Sequence, residues 1–275
     1  MNNGQIRPAL HDVQLAISRF PAVFFRHQHA LVLQPLIHVF HQPYRQRRRR
    51  GAGRALNCVL PALPCPFQRS QIPDGCGEWL TRHFQEVDER TPAGKLGWRG
   101  LENHDFVNDA MDHRLEKDVG APLMDCALAL NFTGRGVPYL YCGHEIGDVT
   151  RHSILGNRFC APNLRINWSF AQTEAGRARM ALIRDLAALR HGLPVLARGD
   201  VYYPAHACQD AVIVYCRRDA QDCVCVSVNM TGAPQSLCLP LTFTETLLCR
   251  GASVQGNGAR LSPYGILIAR CRENG

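Results

Sequence analysis

Two short runs in this chain carry groups able to do chemistry. Leu101-Glu102-Asn103-His104-Asp105 sets two carboxylates, an amide and an imidazole within five positions. Cys142-Gly143-His144-Glu145 brings a second imidazole and a further carboxylate. Both follow apolar runs with strand character, Lys95 to Leu101 and Val137 to Tyr141. Polar groups at a strand end sit on a loop that a rigid scaffold holds. Such groups can hydrogen-bond a polar substrate and fix a carboxylate beside it. A His-Asp pair at a loop start also serves as a plain helix cap, so the pentapeptide alone decides nothing.

The elements that must position these runs follow from periodicity. Glu78 to Glu89 reads as a helix, with Trp79, Leu80, Phe84 and Val87 near a 3.6 period and Pro92-Ala93-Gly94 ending it. After the first polar cluster, Phe106 to Glu116 fits a short polar helix, and Ala121 to Phe132 a helix rich in small and apolar residues. Two helix-then-strand steps, each closing on a polar cluster, predict βα units on a parallel sheet. Residues 146–172 form a long loop, and loops of that length in a compact domain usually serve function. Thr173 caps the next helix, Glu174 to His191, which Gly192 and Pro194 stop. Beyond Pro194 the period turns alternating. Ala211 to Cys216 and Cys223 to Asn229 flank a polar turn, a strong hairpin signal. Shorter runs at 236–239, 245–249 and 265–270 complete an all-β module. The chain thus divides into residues 1–54, 55–192 and 193–275.

The net charge of +8 over 275 residues points toward nucleic acid until it is located. Nine arginines and one acid, Asp12, put all of it in residues 1–54, and the rest is neutral. The run Arg45 to Arg50, broken only by Gln46, has no aromatic interleaving, so it reads as a basic linker or as sequence foreign to the domain. No nucleic-acid partner is expected. No stretch approaches the ~20 apolar residues of a membrane span, and no membrane partner is expected. His27, His29, His38 and His41 lack a neighbouring carboxylate or thiol and read as incidental. The 13 cysteines are odd in number and form no CxxC pair, which favours reduced thiols and the cytoplasm. Cys223 and Cys225 would share one strand face; buried free thiols are the preferred reading there over a metal site. No metal and no cofactor is expected.

The clusters in their order carry a family resemblance. Leu101-Glu102-Asn103-His104-Asp105 resembles the Asn-His-Asp motif at the end of the seventh barrel strand in the α-amylase family, glycoside hydrolase family 13. Gly136-Val137-Pro138-Tyr139-Leu140-Tyr141-Cys142-Gly143-His144-Glu145-Ile146-Gly147 resembles the eighth strand and its loop. Asn163 to Trp168 resembles the segment that ends in a Trp before the last barrel helix, and the helix Glu174 to His191 followed by Leu193 to Asp200 resembles the join to the C-terminal β-sandwich. The resemblance covers residues 90–272 and, more loosely, 55–90. It implies an α/β chain: an incomplete (β/α)8 TIM barrel, its last βα units, followed by an all-β sandwich domain. Members closest in pattern cleave oligosaccharides, as cyclomaltodextrinases and α-glucosidases do.

The chemistry implied is retaining hydrolysis of an α-linked oligosaccharide, with a carboxylate nucleophile and a carboxylic general acid. By resemblance Asp105 is the third carboxylate, which stabilises the transition state. His104 bonds sugar hydroxyls, Asn103 holds the turn, and Glu145 lines the site or serves as a cap or salt bridge. The family's nucleophile stands in a Gly-x-Arg-x-Asp pattern and its acid is a Glu one strand later, both before Asp105. The carboxylates there are Asp12, Asp74, Glu78, Glu86, Asp88, Glu89 and Glu102, and none stands in either pattern. Glu102 shares a strand with the stabiliser motif, so it cannot supply the acid from another strand. A full barrel takes about 250 residues. The reading is a hydrolase fragment that lacks its two bond-breaking groups and is inactive as it stands. The alternative is a non-catalytic carbohydrate-binding or scaffold protein.

Overall fold

The computed structural model describes residues 58–59, 76–92, 94–102, 114–150 and 166–274. All fall within one unit, Leu56–Gly275, set apart from Met1–Ala55. The expectations for residues 1–54, for Phe106 to His113 and for most of the loop before Ile166 lie outside the described residues.

Three short strands, β1 (Cys58–Val59), β2 (Trp98–Gly100) and β3 (Val137–Tyr139), form a parallel sheet in the order β1-β2-β3. Trp98 faces Val137 and Gly100 faces Tyr139 in register. A parallel pair needs a crossover, and the helices supply it. Helix α1 (Cys76–Arg90) precedes β2; α2 (Leu115–Val119) and α3 (Ala121–Thr133) lie between β2 and β3. The last described helices are α4 (Glu174–Gly192) and α5 (Pro194–Arg198).

Helix α1 turns Cys76, Leu80, Phe84 and Asp88 inward at a spacing of four. Trp79, expected on that face, is instead exposed and stacks on His83. The inward row is fixed where Gly77 docks: its N–H donates to the Asp210 carbonyl at 2.9 Å, and a Cβ there would lie 2.5 Å from the Gln209 carbonyl. Thr173 caps α4 as its sequence foretells, its hydroxyl oxygen accepting from the Gly176 N–H at 2.9 Å. Pro194 opens a short helix of its own, because a proline's missing N–H costs nothing in a first turn.

The β module follows. β4 (Asp200–Tyr202), β5 (Val212–Arg218), β6 (Cys223–Asn229), β7 (Gln235–Cys238), β8 (Leu241–Gln255) and β9 (Gly258–Glu273) form a six-stranded antiparallel sheet. The predicted hairpin is β5–β6, with Val212 opposite Asn229. β8 and β9 are far longer than the runs visible in the sequence. They pair along their whole length with three register shifts, and β9 meets β7 with its first half and β6 with its second. Midway, Gly251 stands at φ +58 and Tyr264 at φ +55. A Cβ on Gly265 would lie 2.5 Å from the Gly251 carbonyl, so glycine permits the bend. The sheet curls, and Val214, Cys225, Leu237, Leu241, Leu261 and Leu267 share its interior.

The opposite face of the sheet packs on α3. Tyr215 Oη lies 2.6 Å from Thr133 Oγ1, whose single hydrogen goes to the Ala129 carbonyl, so the tyrosine donates. Arg217, fully buried, donates to the carbonyls of Thr133 and Gly199 at 3.1 and 2.7 Å. Arg190 donates to the carbonyls of Phe132, Gly134 and Gly136. The C-terminal end of α3 carries the partial negative charge of its orphan carbonyls, and two buried guanidinium groups satisfy it.

Candidate functional site

The site grows from the ends of β2 and β3. Because these strands are parallel and adjacent, Leu101-Glu102 and Tyr141 to Glu145 emerge at the same edge of the sheet. The second segment turns at once into a 3₁₀ turn, His144–Ile146, between Gly143 at φ +95 and Gly147 at φ +67. Both glycines occupy left-handed backbone, and Gly143 has a second reason: a Cβ there would lie 3.1 Å from an Arg114 nitrogen and 3.0 Å from Asp148. The turn drives His144 inward.

Glu102 is the centre of what results. It is 4% exposed, and His144 Nε2 donates to its Oε2 at 2.7 Å. The Leu115 N–H donates to Oε1, and Arg114 Nε stands 3.5 Å from Oε2. Arg114 also lies over the Tyr141 ring at 5.6 Å. Burial works against the carboxylate's charge. The His144 hydrogen bond, the charges of His144 and Arg114 and the Leu115 N–H outweigh it and hold the Glu102 pKa below its ordinary value. His144 Nδ1 is buried without a hydrogen-bond partner among the described residues.

Around this centre, Asp148 is buried and accepts from the backbone N–H of Thr150 at 2.7 Å and of Asn167 at 3.1 Å. Arg179 on α4 grips Glu116 through two nitrogens, at 2.6 and 3.0 Å, and also reaches Asp125. It donates to the His144 carbonyl at 3.3 Å as well, so α2, α3, α4 and the 3₁₀ turn meet at one guanidinium.

Asn103, His104 and Asp105 lie outside the described residues. What the structure gives is their anchorage. Glu102 is the residue before Asn103, and it binds Arg114 and Leu115. Residues 103–113 therefore leave and return at one buried carboxylate. Glu145 is half-buried and its Oε2 accepts from the Gly143 N–H at 2.8 Å, the cap that the sequence offered as one of its roles. Arg114, Glu116 and Arg179 escaped sequence reasoning. Arg114 and Glu116 are lost among the other polar residues of their stretch, and nothing local says which charges pair.

Glu102 as found cannot serve as a general acid. That role needs a carboxyl whose pKa is raised so that it holds a proton. Glu102 is wrapped in donors and held ionised, the state of an anchor.

No protein-family model matches the chain. Over 155 residues it is 28% identical to the α-amylase MalA of Haloarcula japonica, a stretch covering 54% of this chain and 20% of that protein. Among solved structures it resembles the trehalulose synthase MutB of Pseudomonas mesoacidophila MX-45, with TM-score 0.56 and 18% identity, covering 73% of this chain and 47% of that one. The isomaltulose synthase PalI of Klebsiella sp. LX3 gives TM-score 0.53 and 17% identity, over 71% and 46%. At such identity the structural likeness speaks to fold. The fold so defined is parallel strands and helices, then an antiparallel β module. The protein the chain resembles is the C-terminal part of a glycoside hydrolase family 13 enzyme, and it spans less than half the length of the relatives it matches.

Proposed function

We propose that the chain is the sugar-steadying part of an α-amylase-family retaining glycosidase, acting on an α-linked oligosaccharide. In this reading Asp105 stabilises the transition state, His104 bonds the sugar hydroxyls, Asn103 holds the turn at the sugar site, and Glu145 shapes the loop beside them. The curled sheet is the family's C-terminal β-sandwich, and residues 1–54 are outside the catalytic architecture. The observation that carries the reading is the Glu102 anchor. A buried, ionised carboxylate held by His144 and Arg114 fixes both ends of the segment containing Asn103-His104-Asp105. Catalysis depends on such placement to within fractions of an ångström. Sucrose as substrate and isomaltulose are seen in complexes of MutB. They support α-linked glucosides as the class.

This chain shows no Gly-x-Arg-x-Asp nucleophile and no general acid, so alone it turns nothing over. Losing one member of a catalytic unit already costs several powers of ten in rate. Ten of the cysteines among the described residues are free thiols, which supports a reducing, cytoplasmic setting. The purified chain, incubated with maltotriose and with a chromogenic α-glucoside, should release no product. Weak maltotriose binding should be lost in Asp105→Asn and His104→Ala. Turnover that Asp105→Asn abolishes would overturn the inactive reading. Maltotriose binding that neither substitution weakens would remove the sugar site itself.

A further inference from the structure

Three thiols from three strands converge at one edge of the β module. Cys216 lies on β5, Cys223 opens β6 and Cys271 is near the end of β9. The registers dictate this. Cys216 stands opposite Cys225, and Val224 opposite Arg270, so Cys223 falls across from Cys271 and on the same face as Cys216. The three sulfurs all lie within 4.8 Å of one another, and those of Cys223 and Cys271 are 3.3 Å apart. Cys216 and Cys271 are buried, and Cys223 is partly open to solvent. Tyr202, opposite Cys216 on β4, puts its Oη 3.8 Å from the Cys223 sulfur.

We propose that Cys216, Cys223 and Cys271 bind one thiophilic cation of the zinc class. Metal–sulfur bonds of about 2.3 Å place three ligand sulfurs about 3.8 Å apart in a tetrahedral site and about 4.0 Å apart in a trigonal one. The Cys223–Cys271 separation falls about half an ångström short of those values and no separation exceeds 4.8 Å, so side-chain shifts of about an ångström or less close the site. The donor set is sulfur with no carboxylate among it, which selects soft ions over Mg2+ and Ca2+. The fourth position faces Tyr202 Oη and the solvent side of Cys223. On binding, each thiol gives up its proton to water and forms one metal–sulfur bond. A divalent ion on three thiolates leaves a single net negative charge, beside Arg218 over the Tyr202 ring at 5.1 Å. A disulfide is the competing outcome. It would join Cys223 and Cys271 at about 2.05 Å and leave Cys216 unused, whereas a metal uses all three thiols. The ion would fasten β9, the last strand, to the β5–β6 hairpin.

The reduced, metal-free full-length chain is titrated with Cd2+, reading sulfur-to-metal charge-transfer absorption and proton release. Cys223→Ser, at the partly open position, is the variant least disruptive to folding; circular dichroism and a second variant, Cys271→Ala, guard against misfolding. The wild-type chain should bind one equivalent that both variants lack or bind roughly a hundredfold more weakly. Zn2+ should raise its melting temperature and leave that of Cys223→Ser unchanged. A variant with the exposed Cys142, Cys238 and Cys249 changed to Ser should keep the equivalent, as should Cys225→Ser. The proposal is overturned if Cys223→Ser binds Cd2+ as the wild type does, or if the exposed-thiol variant loses the equivalent. A Cys223–Cys271 disulfide in protein purified without reductant overturns it too.

Discussion

Glu102→Gln is the sharpest probe of the anchor. Glutamine keeps the volume and one acceptor oxygen of Glu102 but removes its charge. It also turns an amide N–H toward partners that themselves donate or carry positive charge, His144, the Leu115 N–H and Arg114. Removing one partner of a buried ion pair costs about 3–5 kcal/mol, because the remaining charge stays desolvated. The retained acceptor places this case near the lower end, about 3 kcal/mol. For a domain of this size that is a fall in melting temperature of roughly 6–12 °C. The pH dependence follows from the lowered Glu102 pKa. Its stabilisation is fully present above the ordinary value of 4.5 and drains away as acid takes the pH down through the folded-state value. Urea unfolding of both proteins at dilute concentration, from pH 7 down to pH 3, measures the two effects together. The variant should be weaker near neutrality and should converge on the wild type in acid. A difference under about 0.5 kcal/mol at pH 7, with parallel acid limbs, would refute the anchor.

Arg179→Lys should cost about 3 kcal/mol by urea unfolding, since a lysine cannot reproduce the two-nitrogen grip on Glu116 together with the bond to Asp125. Tyr215→Phe, which leaves Thr133 without its buried donor, should lower stability by about 1 kcal/mol on the same assay with an unchanged m-value. Gly143→Ala should cost about 1–3 kcal/mol through its φ of +95 and its approach to Arg114, while Gly192→Ala, with open space around it, should be neutral or stabilising. Trp98, 53% exposed, lies near the exposed Leu96 and Val137 at the parallel sheet, so light scattering should rise with protein concentration and fall in a Trp98→Ser/Val137→Thr variant.

Helices bounded by local start and stop signals were legible. Glu78 to Glu89, Ala121 to Phe132 and Glu174 to His191 each form within two residues of their expected ends, because caps and glycines act locally. Trp79 was misplaced because a helical period offers neighbouring faces of similar breadth, and only the docking of Gly77 on the Asp210 carbonyl chooses between them. β8 and β9 looked like fragments because each register shift moves the alternation by one residue, so a continuous bent strand reads as several short ones. The Glu102 centre was half visible. The pentapeptide and the His144 cluster stood out, but their joining depends on β2 lying beside β3. The trithiol cluster was invisible for the same reason. Cys223 and Cys225 drew attention as near neighbours, yet the strand registers put Cys223 across from Cys271 and on the same face as Cys216.

The anchoring of residues 103–113 by one carboxylate bears on how such a segment can change. A segment whose two ends are held by Glu102, Arg114 and Leu115 transmits little of its own length to the scaffold. Doubling a flexible loop adds only about 0.6 kcal/mol of closure entropy. Insertions between Asp105 and Arg114 are then inexpensive beside the roughly 3 kcal/mol at stake in the anchor itself. On the proposed reading, the residues assigned to the sugar are thus free to vary in number, so long as Glu102 and its partners stay in place. The length of that segment and the stability of its anchor become separable properties at this edge of the sheet.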